Sequence, residues 1–242
     1  MKQYIRIYMA VLIFLAMLLP ITVSAETYTL SETDISINLD DSAWYVFTRD
    51  NIKDNPELDE VGISYDSMYD ILYNNQAYMD AVLTYEDGEY IEFFIRKTTT
   101  DLGIVNLSNY NIDEVTEFAS ELAKRQGSKN YTVYENKYKF AKSEYLDKDF
   151  YLCEFVTIVN KEIYTLTFQS TAKYSAQEYA EINKIIDSVR FDVDTSLKEP
   201  QTSSLWDGVI TKAIGGAVIG GVIGLVISLV NKKRHPKNNE NY

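Results

Sequence analysis

Hydrophobic and polar positions along this chain follow two periods, one near two and one near 3.6. Period-two runs rich in aromatic and β-branched residues fall at 27–30, 35–39 and 44–48. Two longer runs, 78–85 and 90–97, flank Glu86-Asp87-Gly88-Glu89, whose Asp-Gly pair signals a hairpin. In the second of these Ile91, Phe93 and Ile95 point one way, Glu92 and Arg96 the other. Residues 131–134 and 138–145 predict another hairpin, and 150–159 with 163–170 a third, turning at Asn160-Lys161. There Tyr164, Leu166 and Phe168 alternate with Thr165, Thr167 and Gln169. Residues 50–60 are polar, contain Pro56 and predict a loop.

Three segments carry helix signals. Ser64 is placed to cap a helix with Tyr65, Met68, Ile71 and Leu72 on one face. Asn111 with Glu114 resembles a capping box ahead of Val115, Phe118, Ala119 and Leu122, and Gly127 supplies a stop. Ser175 with Glu178 is an S-x-x-E box ahead of Tyr179, Ile182, Ile186 and Val189. Strands arranged in hairpins, with helices between hairpins, predict an α+β domain: an antiparallel sheet flanked by helices.

Both ends depart from this pattern. Lys2 and Arg6 precede an apolar run over 7–19, Pro20, and the short side chains of Val23-Ser24-Ala25. This predicts a secretory signal peptide over 1–25, cleaved between Ala25 and Glu26. Residues 209–230 are apolar apart from Lys212 and span about 33 Å as a helix, enough to cross a bilayer. Trp206 precedes them, and Lys232, Lys233, Arg234 and Lys237 follow, a bias that marks the cytoplasmic side. The expected organisation is therefore a signal peptide at 1–25, an exported domain at 26–192 and a linker at 193–207. A single transmembrane helix at 208–231 and a basic cytoplasmic tail at 232–242 follow. That makes a single-pass protein of the cell membrane with residues 26–207 extracytoplasmic. Gly216, Gly220 and Gly224 recur every four residues, a smooth helix-packing face suited to a homodimer within the bilayer or to another protein's helix.

Three features resemble the PsbP-like family of exported and photosystem-accessory proteins. They are the 35–39 strand leading to Trp44-Tyr45-Val46-Phe47, the helix-then-hairpin block at 65–97, and the ending from Tyr164 through the Ser175 helix to Phe191. The resemblance covers about 26–192. It implies a PsbP-like α/β/α sandwich around an antiparallel sheet, and a binding or assembly role rather than catalysis.

Composition narrows the chemistry. The chain has 242 residues and a net charge of −13. Seven of its 23 Lys and Arg (Lys2, Arg6, Lys212, Lys232, Lys233, Arg234, Lys237) and only Glu240 of its 36 acids lie outside 26–207, leaving 16 bases, 35 acids and a net of −19 there. Such a surface excludes nucleic acid as a partner, because phosphates need clustered cations. The one His, His235, lies in the tail, and Cys153 is the one thiol, so disulfide frameworks, Cys/His zinc sites and most His-based catalysis are excluded. Cys153 sits in a strand-like run and reads as a small buried side chain. No phosphate loop, nucleophile elbow or metal-ligand motif is present, so no cofactor is expected. Asp54, Glu57, Asp59 and Glu60 form the densest acidic stretch, without the spacing of a calcium loop. Asn106-Leu107-Ser108 and Asn130-Tyr131-Thr132 match glycosylation sequons. Seventeen of the 20 Tyr lie in 26–207, enough to build a contact surface for a protein partner. The expected function is a membrane-tethered, non-enzymatic binding or assembly module. The alternatives are an extracytoplasmic hydrolase working through acids or a metal, and a structural cell-surface protein.

Overall fold

A computed structural model describes residues 25–40, 43–85, 89–99 and 104–193. The elements run β1 (Ala25–Leu30), β2 (Ile35–Asp40), β3 (Trp44–Thr48), α1 (Glu57–Val61) and α2 (Tyr65–Tyr69), the last continuing into a π-helical turn (Asp70–Asn74). Next come β4 (Ala77–Thr84), β5 (Tyr90–Thr99), a 3-10 turn (Leu107–Asn109) and α3 (Ile112–Arg125). The chain closes with β6 (Asn130–Glu135), β7 (Lys139–Asp147), β8 (Phe150–Val159), β9 (Glu162–Ser170), α4 (Ala176–Ser188) and β10 (Arg190–Phe191). The α+β class is as expected: every strand pair is antiparallel.

Seven strands form the main sheet in the order β3-β4-β5-β9-β8-β7-β6. Its hairpins are local. Asn160 (φ 51°) and Lys161 (φ 66°) both take the left-handed conformation that a two-residue hairpin turn demands. Tyr85 N donates to Glu89 O at 2.9 Å at the base of the β4–β5 hairpin, and 86–88 lie outside the described residues.

Register divides the sheet into two faces. One carries Trp44, Val46, Met79, Ala81, Phe93, Ile95, Phe140, Cys153, Phe155, Leu166 and Phe168, all in one buried cluster. Phe93 and Phe168 stack there with centroids 4.4 Å apart. This face is covered by α4 together with a second sheet, β1-β2-β10. The layer over this face is thus half helix and half sheet, where helices alone are expected. The other face is covered at one end by α1, α2 and the π-helical turn, and at the other by α3.

The caps form as their residue types predict. Asn111 Oδ1 accepts from the N–H groups of Asp113 and Glu114, both at 3.0 Å, while Glu114 Oε2 accepts from Asn111 N. Ser175 and Glu178 reciprocate in the same way at the head of α4. Gly127, at φ 72°, follows α3.

Two expectations are corrected and a third is extended. The 50–60 stretch is not all loop, because Pro56 pre-sets φ at −66° and starts α1, which buries Leu58 and Val61 before Gly62 ends it at φ 72°. Tyr65 does not join Met68, Ile71 and Leu72 in the core. The helix opens into the π-helical turn after Tyr69, and the Tyr65 ring stays 45% exposed beside Tyr69. Glu92 and Arg96 do point away from Ile91, Phe93 and Ile95, as the alternation predicts. Both are buried, since the face that their alternation marks as polar is roofed by helices.

Candidate functional site

A groove of about 770 Å³ opens where the first turns of α4 pass over the β3–β4–β5 corner. Two local devices place its walls. The Ser175 capping box fixes where α4 begins, and the stripe of Ile182, Ile185 and Ile186 presses the helix onto the sheet. Trp44 enters the floor from β3, next to Leu83 of β4 and Ile91 of β5. The floor is apolar: Trp44, Ile91, Ile182 and Ile185 are all buried.

The rim is charged. Asp40, Glu89, Glu178 and Glu181 line it against Lys173 and Lys184. Glu178 is committed to the cap, accepting from Ser175 N at 2.6 Å. Lys184 lies 3.6 Å from Glu181, an exposed pair that adds little stability. An apolar trough with an acidic rim is suited to an apolar segment flanked by cations.

A second polar constellation lies inside the molecule. On the helix-roofed face the register places Asp80, Glu92, Arg96, Glu154, Thr165, Thr167 and Gln169 side by side, all buried. Gln169 Nε2 donates to Glu92 Oε2 at 2.7 Å. Gln126 Nε2, from the cap that follows α3, donates to Glu154 Oε1 at 2.5 Å, and Thr167 Oγ1 donates to Glu154 Oε2 at 3.2 Å. Burial raises the Glu154 carboxyl above its ordinary range, and Arg96 draws it back. Burial lowers Arg96, with Glu154 acting against that shift. These bonds tie Gln169 to Glu92 and Gln126 and Thr167 to Glu154, while Arg96 Nε and Nη2 have no hydrogen-bond acceptor among the described residues, and none of these groups lines the groove. Among the described residues no three His, Cys, Asp or Glu side chains converge as a metal ion would require.

Ala25 and Glu26, the expected cleavage pair, begin β1 opposite Asp40 and Leu39. Gly216, Gly220 and Gly224, and the transmembrane helix that carries them, lie outside the described residues. No described helix is long and apolar enough to cross a membrane. Of the acidic stretch, Glu57, Asp59 and Glu60 fall in the first turn of α1, and Glu57 Oε2 accepts from Val46 N at 3.3 Å. Cys153 is buried as expected. The Asn106 sequon is closed to a glycan: its side chain is buried and its Oδ1 accepts from Asn160 N at 2.8 Å. The groove itself was not anticipated. Its only signals are Trp44 and the Ser175 box, which lie far apart in the chain and meet only in the fold.

No family model and no curated protein matches the chain. Among solved structures it is similar to the solution structure of cyanobacterial PsbP (CyanoP) from Synechocystis sp. PCC 6803. The two are 14% identical, with 70% of this chain and 93% of that chain covered and a TM-score of 0.38. No residue role or partner is carried over from that likeness.

Proposed function

We propose that this protein is a membrane-tethered extracytoplasmic binding or assembly module of PsbP-like fold, acting by protein–protein contact and not by catalysis. In this reading the signal peptide is removed after Ala25, the 208–231 helix holds residues 26–207 outside the cytoplasmic membrane, and Gly216, Gly220 and Gly224 pair two copies in the bilayer. The observation that carries it is the groove under α4, whose apolar floor and acidic rim fit an apolar partner segment flanked by Lys or Arg. The strongly acidic charge of residues 26–207 supports a basic partner, because complementary charge speeds encounter and suppresses wrong ones.

Two measurements test it. A photo-cross-linking residue at the exposed Gln177 should trap one discrete protein adduct in intact cells, and the same residue at Glu117 on α3 should not. Adducts of equal yield from both positions would remove the groove as the docking site. Protease added outside spheroplasts should digest 26–207 and spare the tail. Digestion of the tail alone would reverse the topology.

A further inference from the structure

The Tyr65–Tyr69 face lies apart from the groove, on the helical segment that roofs the opposite face of the sheet. From Asp54 to Gln76 the sequence holds six acids (Asp54, Glu57, Asp59, Glu60, Asp66, Asp70) and no Lys or Arg. Asp66 and Asp70 are both exposed and four residues apart, a spacing that sets like charges side by side at a small cost to the helix. Tyr65 and Tyr69 each adjoin one of them and are 45% and 40% exposed; of the other described tyrosines only Tyr131, at 44%, is as open.

These rings are held in place. Tyr69 stacks on Tyr73 with centroids 4.3 Å apart and planes 17° from parallel, and Tyr65 follows at 6.0 Å. Behind Tyr73 the Arg49 guanidinium continues the column, 4.8 Å from the Tyr73 ring and 3.7 Å from the Tyr78 ring. Arg49 is locked in turn. It donates to Leu72 O from Nε at 3.1 Å and Nη2 at 2.7 Å, to Ala77 O from Nε at 2.9 Å, and to Glu32 Oε2 from Nη1 at 2.7 Å. The column therefore rests on the π-helical turn, a rare geometry that recurs at functional sites. Arg49 occupies its inner end, stacked on tyrosine and paired with a carboxylate. The outer end presents the same two chemistries, exposed tyrosine and exposed carboxylate, to solvent.

We propose that the Tyr65–Tyr69 face is a second docking surface, which takes an arginine-bearing basic segment of a partner protein. A partner guanidinium repeats outside what Arg49 does inside: it lies on the ring and bonds Asp66 or Asp70. Arg suits the site better than Lys because a planar fork stacks and bonds at once. Rigid rings lower the entropy cost of docking.

The test uses the full chain in uncharged detergent and fluorescence anisotropy with a labelled peptide of alternating Arg and Gly, beside its Lys-for-Arg counterpart. Tyr65→Ala with Tyr69→Ala leaves net charge unchanged and should weaken the Arg peptide about tenfold. Tyr65→Phe with Tyr69→Phe should bind like the parent. Glu117→Gln with Glu121→Gln, an equal charge change for comparison on α3, should bind within about twofold of the parent, and Asp66→Asn with Asp70→Asn should bind several-fold more weakly. The Lys peptide should bind the parent less tightly than the Arg peptide. Equal binding of both peptides, or an alanine variant that binds as tightly as the parent, would overturn the proposal. If the alanine variant loses its far-UV signature, the aspartate variant decides, and unchanged binding there overturns it as well.

Discussion

Asp80 on β4 and Glu92 on β5 are diagonal neighbours on the helix-roofed face of the sheet, both excluded from water. Among the described residues no ordinary donor reaches either Asp80 oxygen, and its hydrogen-bonding neighbour is the Glu92 carboxyl itself. Two ionised carboxylates in contact only repel, so the contact becomes a hydrogen bond when one of them carries a proton. Burial pushes Asp80 up from 3.8 to about 7, and the bond to Glu92 offsets part of that rise. The folded state therefore binds this proton more tightly than the unfolded chain does. The stabilisation is complete below about pH 4 and is lost as pH rises through 7, at most on the order of 4 kcal/mol in all. Urea unfolding of the parent and of Asp80→Asn should show their stability difference moving against the parent between about pH 4 and pH 7 and flat above that. A difference that does not vary with pH would mean that Asp80 is ionised throughout.

Cys153 lies among Phe155, Phe168 and Tyr174 in the main core and has no exposed surface. Burial raises its thiol to about 12, with Lys142 acting the other way and Glu144 and Glu154 adding to the rise. Little thiolate exists at neutral pH, and none of it meets solvent. The folded chain should leave a chromogenic disulfide reagent unreacted at about pH 8, and unfolding in denaturant should release one equivalent. Rapid labelling of the native chain would contradict the burial of β8.

Features whose physics is local were legible in the sequence. A capping box needs only residues three apart, so Asn111–Glu114 and Ser175–Glu178 could be read directly. The Asn160-Lys161 turn and the hairpins around it are equally local. Features that depend on what covers what were not legible. The alternation of Thr165, Thr167 and Gln169 with Tyr164, Leu166 and Phe168 marks two faces correctly but cannot say that both are roofed. Arg49 arrives from beyond β3 to bond Leu72 O inside the π-helical turn, a contact no local pattern announces. The separation of β1, β2 and β10 into their own sheet depends on the chain end returning, where Arg190 and Phe191 pair with Ser36 and Ile35. The groove likewise exists only once α4 lies over Trp44.

The two capping boxes sit on helices that cover opposite faces of the main sheet. Each side-chain oxygen satisfies donors that a helix start otherwise leaves unpaired. Asn111→Ala and Ser175→Ala should each cost about 1 kcal/mol. Because the sites share no partner, the double variant should lose close to the sum of the two. Ser175→Ala should also weaken any partner held in the groove, since Ser175 lines it, and Asn111→Ala should not. A Ser175→Ala chain as stable as the parent would mean that α4 does not need its cap.

Arg96 and Glu154 face each other across β9 on the roofed side of the sheet, opposite Thr165 and Thr167 in the register. Arg96 Nε and Nη2 have no hydrogen-bond acceptor among the described residues, and the guanidinium carbon lies 5.6 Å from the Phe94 ring centre. Its attraction to Glu154 therefore acts through space rather than through a bonded pair. That arrangement makes a definite prediction about coupling. Arg96→Met strands a buried carboxylate without a countercharge and should cost about 3–5 kcal/mol at neutral pH. Glu154→Gln alone keeps a partner for Thr167 but leaves Arg96 unopposed, and should cost less because Arg96 retains the Phe94 ring. The double variant removes both charges and should be more stable than the sum of the single costs implies, with a coupling of about 1–3 kcal/mol. The single Arg96→Met chain carries a second signature. Losing Arg96 raises Glu154 further, so its stability should improve on acidification, as the carboxyl takes up a proton, relative to the parent. Urea unfolding of the four chains at two pH values measures both effects, and single costs that simply add at both would show that the two charges do not interact.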